Sequence, residues 1–372
     1  MQAEGYDGGV NDRRGLQLAW LFSPREDLLA FAAPALLALG ITFCLSAAGR
    51  LGRPLGSLGW LLAVVLVDVA HVYATLYRVY ADPRELERRR RLYLGLPLVA
   101  YAAGVLLSAV GYFWTALAYL AVFHFIRQQR GWIALSGRRE RDFTRLDRWL
   151  DDIAIYAGTL YPILHWHAHL PRSFVWFVKG DFLGWGSPWL RAALPVLHAL
   201  WLAIGALWLL RQGQRILTQP SFSPTRLLVM VTTWLTWYLG IVHYNSDVAF
   251  TVTNVLPHGI PYFVLLFRYR QRGRKARPQE SPARRAAPYL AVLGFYAPLA
   301  LLAFVEEGVW DRLIWHEHAR IYPGPAFSVE SGLALCLLVP LLALPQATHY
   351  LLDAWIWRSG KQNPDLRNRL GI

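Results

Sequence analysis

The sequence predicts an all-α fold: a polytopic integral membrane bundle of about ten helices with both termini in the cytoplasm. Three observations carry this. Hydrophobic residues make up 55% of the 372 positions, aromatics 14%, and mean hydropathy is +0.28, well outside the range of an ordinary soluble domain. Several apolar runs reach the roughly 20 residues that a helix needs to cross a bilayer. The loops between those runs alternate between rich and poor in Lys and Arg, as the retention of positive charge on the cytoplasmic side requires.

The runs place spans at 28–48, 57–79, 92–112, 113–135, 149–170, 188–210, 227–246, 248–268, 288–306 and 330–356. Tight turns are expected near Gly111, between spans 3 and 4, and near Asn245, between spans 7 and 8. The 2–3 loop holds Arg84 and the run Arg88 to Arg91. The 4–5 loop holds Arg138, Arg139, Arg141, Arg145 and Arg148. The 8–9 loop is a third basic cluster, and Arg358, Lys361, Arg367 and Arg369 end the chain. The alternating loops are poor in such residues, so an even number of spans fits. Residues 1–27 read as a cytoplasmic segment, 28–356 as one transmembrane domain and 357–372 as a cytoplasmic basic tail. The segment 269–287, rich in Arg and Pro, reads as solvated. A bacterial inner membrane is the expected location, and no cleavable signal peptide is apparent.

The net charge of +14 finds its cause in these loops, which excludes nucleic acid as the expected partner. Tryptophan and tyrosine, 17 and 18 in number, collect at membrane interfaces, and membrane lipids are the expected surroundings. Cys44 and Cys336 each lie inside an apolar run, which excludes a disulfide framework and a thiolate metal site.

Polar residues inside the spans carry the functional reading, because a charge at the bilayer centre costs roughly 2.5–3.5 kcal/mol and must find a partner. Span 2 reads "VLVDVAHVYATLYR", with Asp68 and His71 on one helical face. Span 4 reads "AVFHFIRQQRGW", with His124 and Gln128 four apart. Span 5 ends in "YPILHWHAH", with His165, His167 and His169. "GIVHYNSDVAF" sets His243 and Asp247 four apart across the 7–8 turn. Span 10 gives "THYLLDAWIWR", with His349 and Asp353. His124 and His258 fall near mid-membrane, His71 and His349 in the cytoplasmic half, His165 and His243 nearer the outer face. His198 and His169 read equally well as packing residues, and His316 and His318 as solvated loop residues.

Imidazole is the commonest metal ligand, and its second nitrogen is usually oriented by a carboxylate or amide. The candidate ligands are therefore His71, His124, His258, His349, His165 and His243, supported by Asp68, Gln128, Asp247 and Asp353. A metal-free polar network is the competing reading. In span 8, "NVLPHGIPYF" sets two prolines and a glycine around His258, a pattern expected to break or kink the helix at that residue. Such backbone is tolerated at membrane depth only where it is buried in protein or lines a cavity. Histidine-rich, thiolate-free ligation suits iron, with zinc or copper as alternatives. Aromatics beside the histidines, Tyr73, Phe125 and Tyr262 among them, suit a lipid-soluble substrate, although each is also ordinary bundle packing.

Single histidines on separate spans resemble the membrane non-haem iron oxygenases, and the stretch Pro257–His258–Gly259 resembles one found in the bacterial membrane carotenoid-cleaving dioxygenases. The resemblance implies an iron ligand at His258 and, by placement, at His71, His124 and His349. The dense HxxxH and HxxHH boxes of the desaturase group are missing. The expectation is a metal-dependent oxygenase or oxidoreductase with a mono- or dinuclear non-haem iron centre, acting on a lipophilic substrate, with a redox partner where electrons are needed. A haem-binding redox protein is less favoured, since no span sets two histidines 13–14 residues apart. A proton-coupled transporter is the other alternative; the chain shows no internal repeat of the kind carriers have.

Overall fold

The computed structural model describes residues 16–184, 188–275, 288–325, 327–358 and 363–372. The expected solvated segments lie partly outside these, at 1–15 and 276–287, as does Lys361. The described chain is helical apart from one parallel pair of two-residue strands, Gln17–Leu18 against Ser221–Phe222. Among the described residues seven helices are long and apolar enough to cross a membrane: α1 (Pro24–Ala47), α2 (Ser57–Arg78), α3 (Arg90–Ala109), α6 (Pro188–Thr218), α7 (Pro224–His243), α8 (Asp247–Gly273) and α9 (Tyr289–Trp315). An eighth, α10, is the pair Gly332–Leu342 and Leu344–Ile356, bent by 44°.

The two other expected spans are α4 (Phe113–Gly137) and α5 (Arg145–Ala168), of 25 and 24 residues. At ~1.5 Å per residue each covers a ~30 Å hydrocarbon layer. They are less apolar because they are interior helices: α4 buries His124, Gln129 and Ser136 beside its hydrophobic residues, and α5 buries Asp147, Asp151 and His167. The expected turns are present. Gly111 joins α3 to α4 at φ +78°, a left-handed conformation that glycine adopts without strain, and three residues join α7 to α8.

Burial orders the bundle. In α8 the most apolar stretch is 67% buried, in α3 only 11%. Leu36, Leu98, Leu106, Leu210 and Leu301 point outward from the peripheral helices, as a lipid-facing surface needs. Helix α8 packs on α1, α2 and α7, while the second half of α10 packs on α2, α3 and α4.

The expected break in α8 is absent. The helix runs unbroken through Pro257 and Pro261; Gln128 Nε2 on α4 donates to the His258 carbonyl at 2.8 Å, a tie between helices separate from the Thr253 and Pro257 carbonyls that the two prolines leave without an intrahelical donor. Membrane helices carry proline where the surrounding bundle packs closely around it. Irregular backbone lies elsewhere. Leu61–Val69 of α2 is a nine-residue π-helical stretch, ending two residues before His71, and wide turns of this kind often mark functional sites.

At the basic end the described part of the tail is docked. Leu366 and Leu370 are buried, Arg369 pairs with Asp82 and Tyr269, and Arg78 donates to Asn363 at 3.0 Å. Nearby, Arg215 and Arg226 share Glu140. Arg215 also takes Asp147 at 2.7 Å and Arg226 takes Asp151 at 2.8 Å. This buried network ties the α4–α5 connection to α6 and α7.

Candidate metal centre

Four helices each give one histidine to a common point. His71 (α2), His124 (α4), His258 (α8) and His349 (α10) are all buried, and one ring nitrogen of each lies within 4.8 Å of the other three. The hydrogen bonds identify those nitrogens. His71 Nδ1 is turned to the Asp68 carbonyl and His349 Nδ1 to the Thr75 hydroxyl at 2.7 Å, which leaves both Nε2 atoms facing inward. His258 Nε2 meets His71 Nε2 at 3.0 Å. His124 Nε2 and His349 Nε2 are buried with no partner among the described residues. His258 Nδ1 is also unpartnered; its ring lies flat on Phe125 at 3.6 Å between centroids.

Ring nitrogens converging in a buried site without partners are costly unless something positive lies between them. Ions of this class bind imidazole at ~2.0–2.1 Å, so two ligands at right angles are separated by ~2.9 Å, close to the His71–His258 distance. The donor set fits a borderline transition-metal ion and not calcium or magnesium, which take oxygen ligands.

Around the ligands stand two carboxylates. Asp353 Oδ1 lies 3.7 Å from His349 Nδ1, and its Oδ2 lies 4.0 Å from His124 Nδ1. Tyr262 donates to Asp353 at 2.8 Å and meets the Thr75 hydroxyl at 2.9 Å. Asp68 Oδ1 is 3.6 Å from His71 Nδ1. Two carboxylates beside four neutral imidazoles balance the charge of a divalent cation inside a low-dielectric interior.

The remaining candidates fall elsewhere. His165 stacks on His169 at 4.1 Å and His243 packs on Tyr244 at 4.6 Å; neither joins the four. Asp247 accepts from the Leu55 amide at 3.2 Å and so tethers the loop before α2. Gln128 was expected to orient His124 and instead serves the His258 backbone. Tyr73 turns to Glu306. The sequence reading missed Thr75, although it lies one turn beyond His71 on the same face. It also missed Glu306 and Glu307, adjacent acids within the apolar α9.

A cavity of about 380 Å³ reaches the centre from the basic end, with His124, Gln128, Tyr262, Tyr350 and Asp353 along its inner part. Of the four histidines only His124 lines it, so the centre is approached from one side. Gly259 explains how α8 comes close enough to α2: a Cβ there would lie 2.8 Å from Val67 Cγ1 and 3.1 Å from the Val67 carbonyl oxygen. Gly259→Ala is expected to push the two helices apart by a few tenths of an ångström and weaken metal binding about 10–100-fold. Metal competition with a chromophoric chelator measures this; unchanged affinity would show that the helix contact is not what sets the His71–His258 distance.

Comparison with family models, with curated proteins and with solved structures finds no match. The class of protein defined by fold and site is therefore a multi-pass helical membrane protein with a buried four-histidine cluster.

Proposed function

We propose that this chain is a membrane-embedded oxygenase or oxidoreductase that uses non-haem iron on a lipophilic substrate. The observation that supports the reading best is the four-histidine cluster at the end of a cavity that reaches only one of its ligands. A structural metal site is closed on all sides, whereas a catalytic one keeps an approach. Residues His71, His124, His258 and His349 would hold the ion, which when bound supplies redox and oxygen chemistry. The chain's own groups do the rest: Thr75 and the Asp68 carbonyl fix two ring orientations, Asp353 stands where it can hold a proton beside His124, and Tyr262 holds Asp353. The arrangement of single histidines on separate helices is the one implied by the resemblance to carotenoid-cleaving dioxygenases. Four rings closing on one point leave no gap for a porphyrin plane, which argues against haem. On this reading all ten long helices cross, and the basic end faces the cytoplasm of the cell whose inner membrane holds the protein.

Oxygen uptake by iron-loaded, detergent-purified protein given a lipid extract tests the proposal. Uptake that needs both iron and lipid, and that falls with Asp353→Asn, is expected. Stoichiometric zinc in the purified protein, or none of any metal, would overturn it. The second reading is a proton-coupled carrier, favoured by the intramembrane acids Glu306 and Glu307 on α9. Substrate transport in proteoliposomes with no metal requirement would establish it instead.

A further inference from the structure

The charge of the cavity is lopsided. Its described lining holds four arginines, Arg127, Arg130, Arg138 and Arg358, against a single carboxylate, Asp353, which sits at the histidine end. From Phe123 on α4 to Arg138 just past its end the lining spans about 22 Å. Two of the guanidiniums have no carboxylate partner among the described residues: Arg127 donates to the Tyr156 hydroxyl at 3.1 Å, and Arg358 lies 4.9 Å over the Trp355 ring. Arg130 pairs with Asp152 at 2.7 Å but leaves its Nε–H buried and unbonded. The Trp132 indole N–H, 2% exposed as a residue and also lining the cavity, is unbonded as well. Buried donors without acceptors are costly, and arginine is the side chain whose geometry matches carboxylate and phosphate oxygens. The same cavity carries Leu265, Leu366, Leu370 and aromatic rings. Its volume of about 380 Å³ lies at the small end of ligand sites, enough for one chain and not for a two-chain lipid.

We infer that the cavity takes a single-chain anionic amphiphile, its carboxylate or phosphate head on the arginines and its chain among the apolar side chains. Asp353 repels the head from the histidine end, so the molecule enters in one orientation, with an uncharged part of the chain presented to the metal centre. This rests on the enzyme reading for its meaning as substrate, but the binding needs neither metal nor turnover.

The test uses the full chain in nanodiscs of zwitterionic lipid, titrated with a fluorescent polyene fatty acid and with its methyl ester. The acid is expected to bind about tenfold tighter than the ester, and more weakly at high salt. An alkyl phosphate should displace it, and inorganic phosphate at the same concentration should not. Arg127→Gln combined with Arg358→Gln should weaken the acid about tenfold and leave the ester unchanged. Unchanged ester binding shows that the variant is folded, and the Arg358→Gln single variant, at an exposed position, gives the same comparison with least risk to the fold. Equal affinity for acid and ester, an equal loss for both in the variants, or displacement by inorganic phosphate as effective as by the alkyl phosphate would each overturn the inference. Loss of metal dependence in the oxygen-uptake experiment would leave this result standing, so the two claims fail separately.

Discussion

His258→Ala yields a protein that folds, inserts and holds essentially no metal, with oxygen uptake on lipid reduced to background. His258 contacts two of the other three: its ring is 4.6 Å from His71 and 5.1 Å from His124, centroid to centroid, and its Nε2 lies 3.0 Å from His71 Nε2. Removing one of four imidazoles takes away a direct bond to the ion, a larger effect than the 10–100-fold typical of losing an orienting partner. Thr75→Val, which removes only the hydroxyl bonded to His349, should fall within that smaller range. The contrast separates ligand from support. Equal effects of the two substitutions, or full activity in His258→Ala, would dissolve the assignment. The Gly259 contact with Val67 that seats α8 on α2 does not involve the imidazole, so the helix contact survives and folding is a fair control.

Glu140→Ala is the substitution with the largest expected cost in stability. Its two carboxylate oxygens serve two fully buried guanidiniums, Arg226 at 2.7 Å and Arg215 at 2.8 Å. Alanine leaves both short of a counter-charge, and breaking a buried pair by removing one member costs about 3–5 kcal/mol. Thermal unfolding in detergent should drop on the order of 10 °C, with bound metal per folded molecule unchanged. A shift of only a degree or two would show that the arginines are held by Asp147 and Asp151 alone. Asp147 also gives this clasp an acid limit. Burial works to raise its carboxyl, but hydrogen bonds from Arg211 and Thr144 and the charge of Arg215 outweigh it and hold it down at about 2. A group depressed in the folded state stabilises fully above its unfolded value near 3.8. That contribution is lost as pH falls through the folded value, so acid should loosen the α4–α5 connection between about pH 4 and 2.

The candidate ligands were legible because each is a lone imidazole in an apolar run, a placement that a membrane makes costly. Spacing along a helix says which side chains share a face, and so it singled out His71, His124 and His349. Which partner each ring takes depends on neighbouring helices, and there the sequence misled: Gln128 reaches the next helix, and a threonine does the orienting at His349. The proline pair in α8 suggested a break because local propensity counts the missing N–H groups and not the packing of the most deeply buried helix against its neighbours. Helices α4 and α5 show the opposite case. Their polar residues lower the hydropathy signal because these helices bury their polar faces against protein. Glu306 and Glu307 passed unnoticed since no histidine stands beside them.

X-ray absorption at the metal edge, with elemental analysis of the same purified sample, tests the central claim most directly. The account predicts about one ion per chain with an inner shell of imidazole nitrogens at ~2.0–2.2 Å, reduced in each of the four histidine variants. A protein with no stoichiometric metal, or an ion retained with all four histidines replaced, would contradict it.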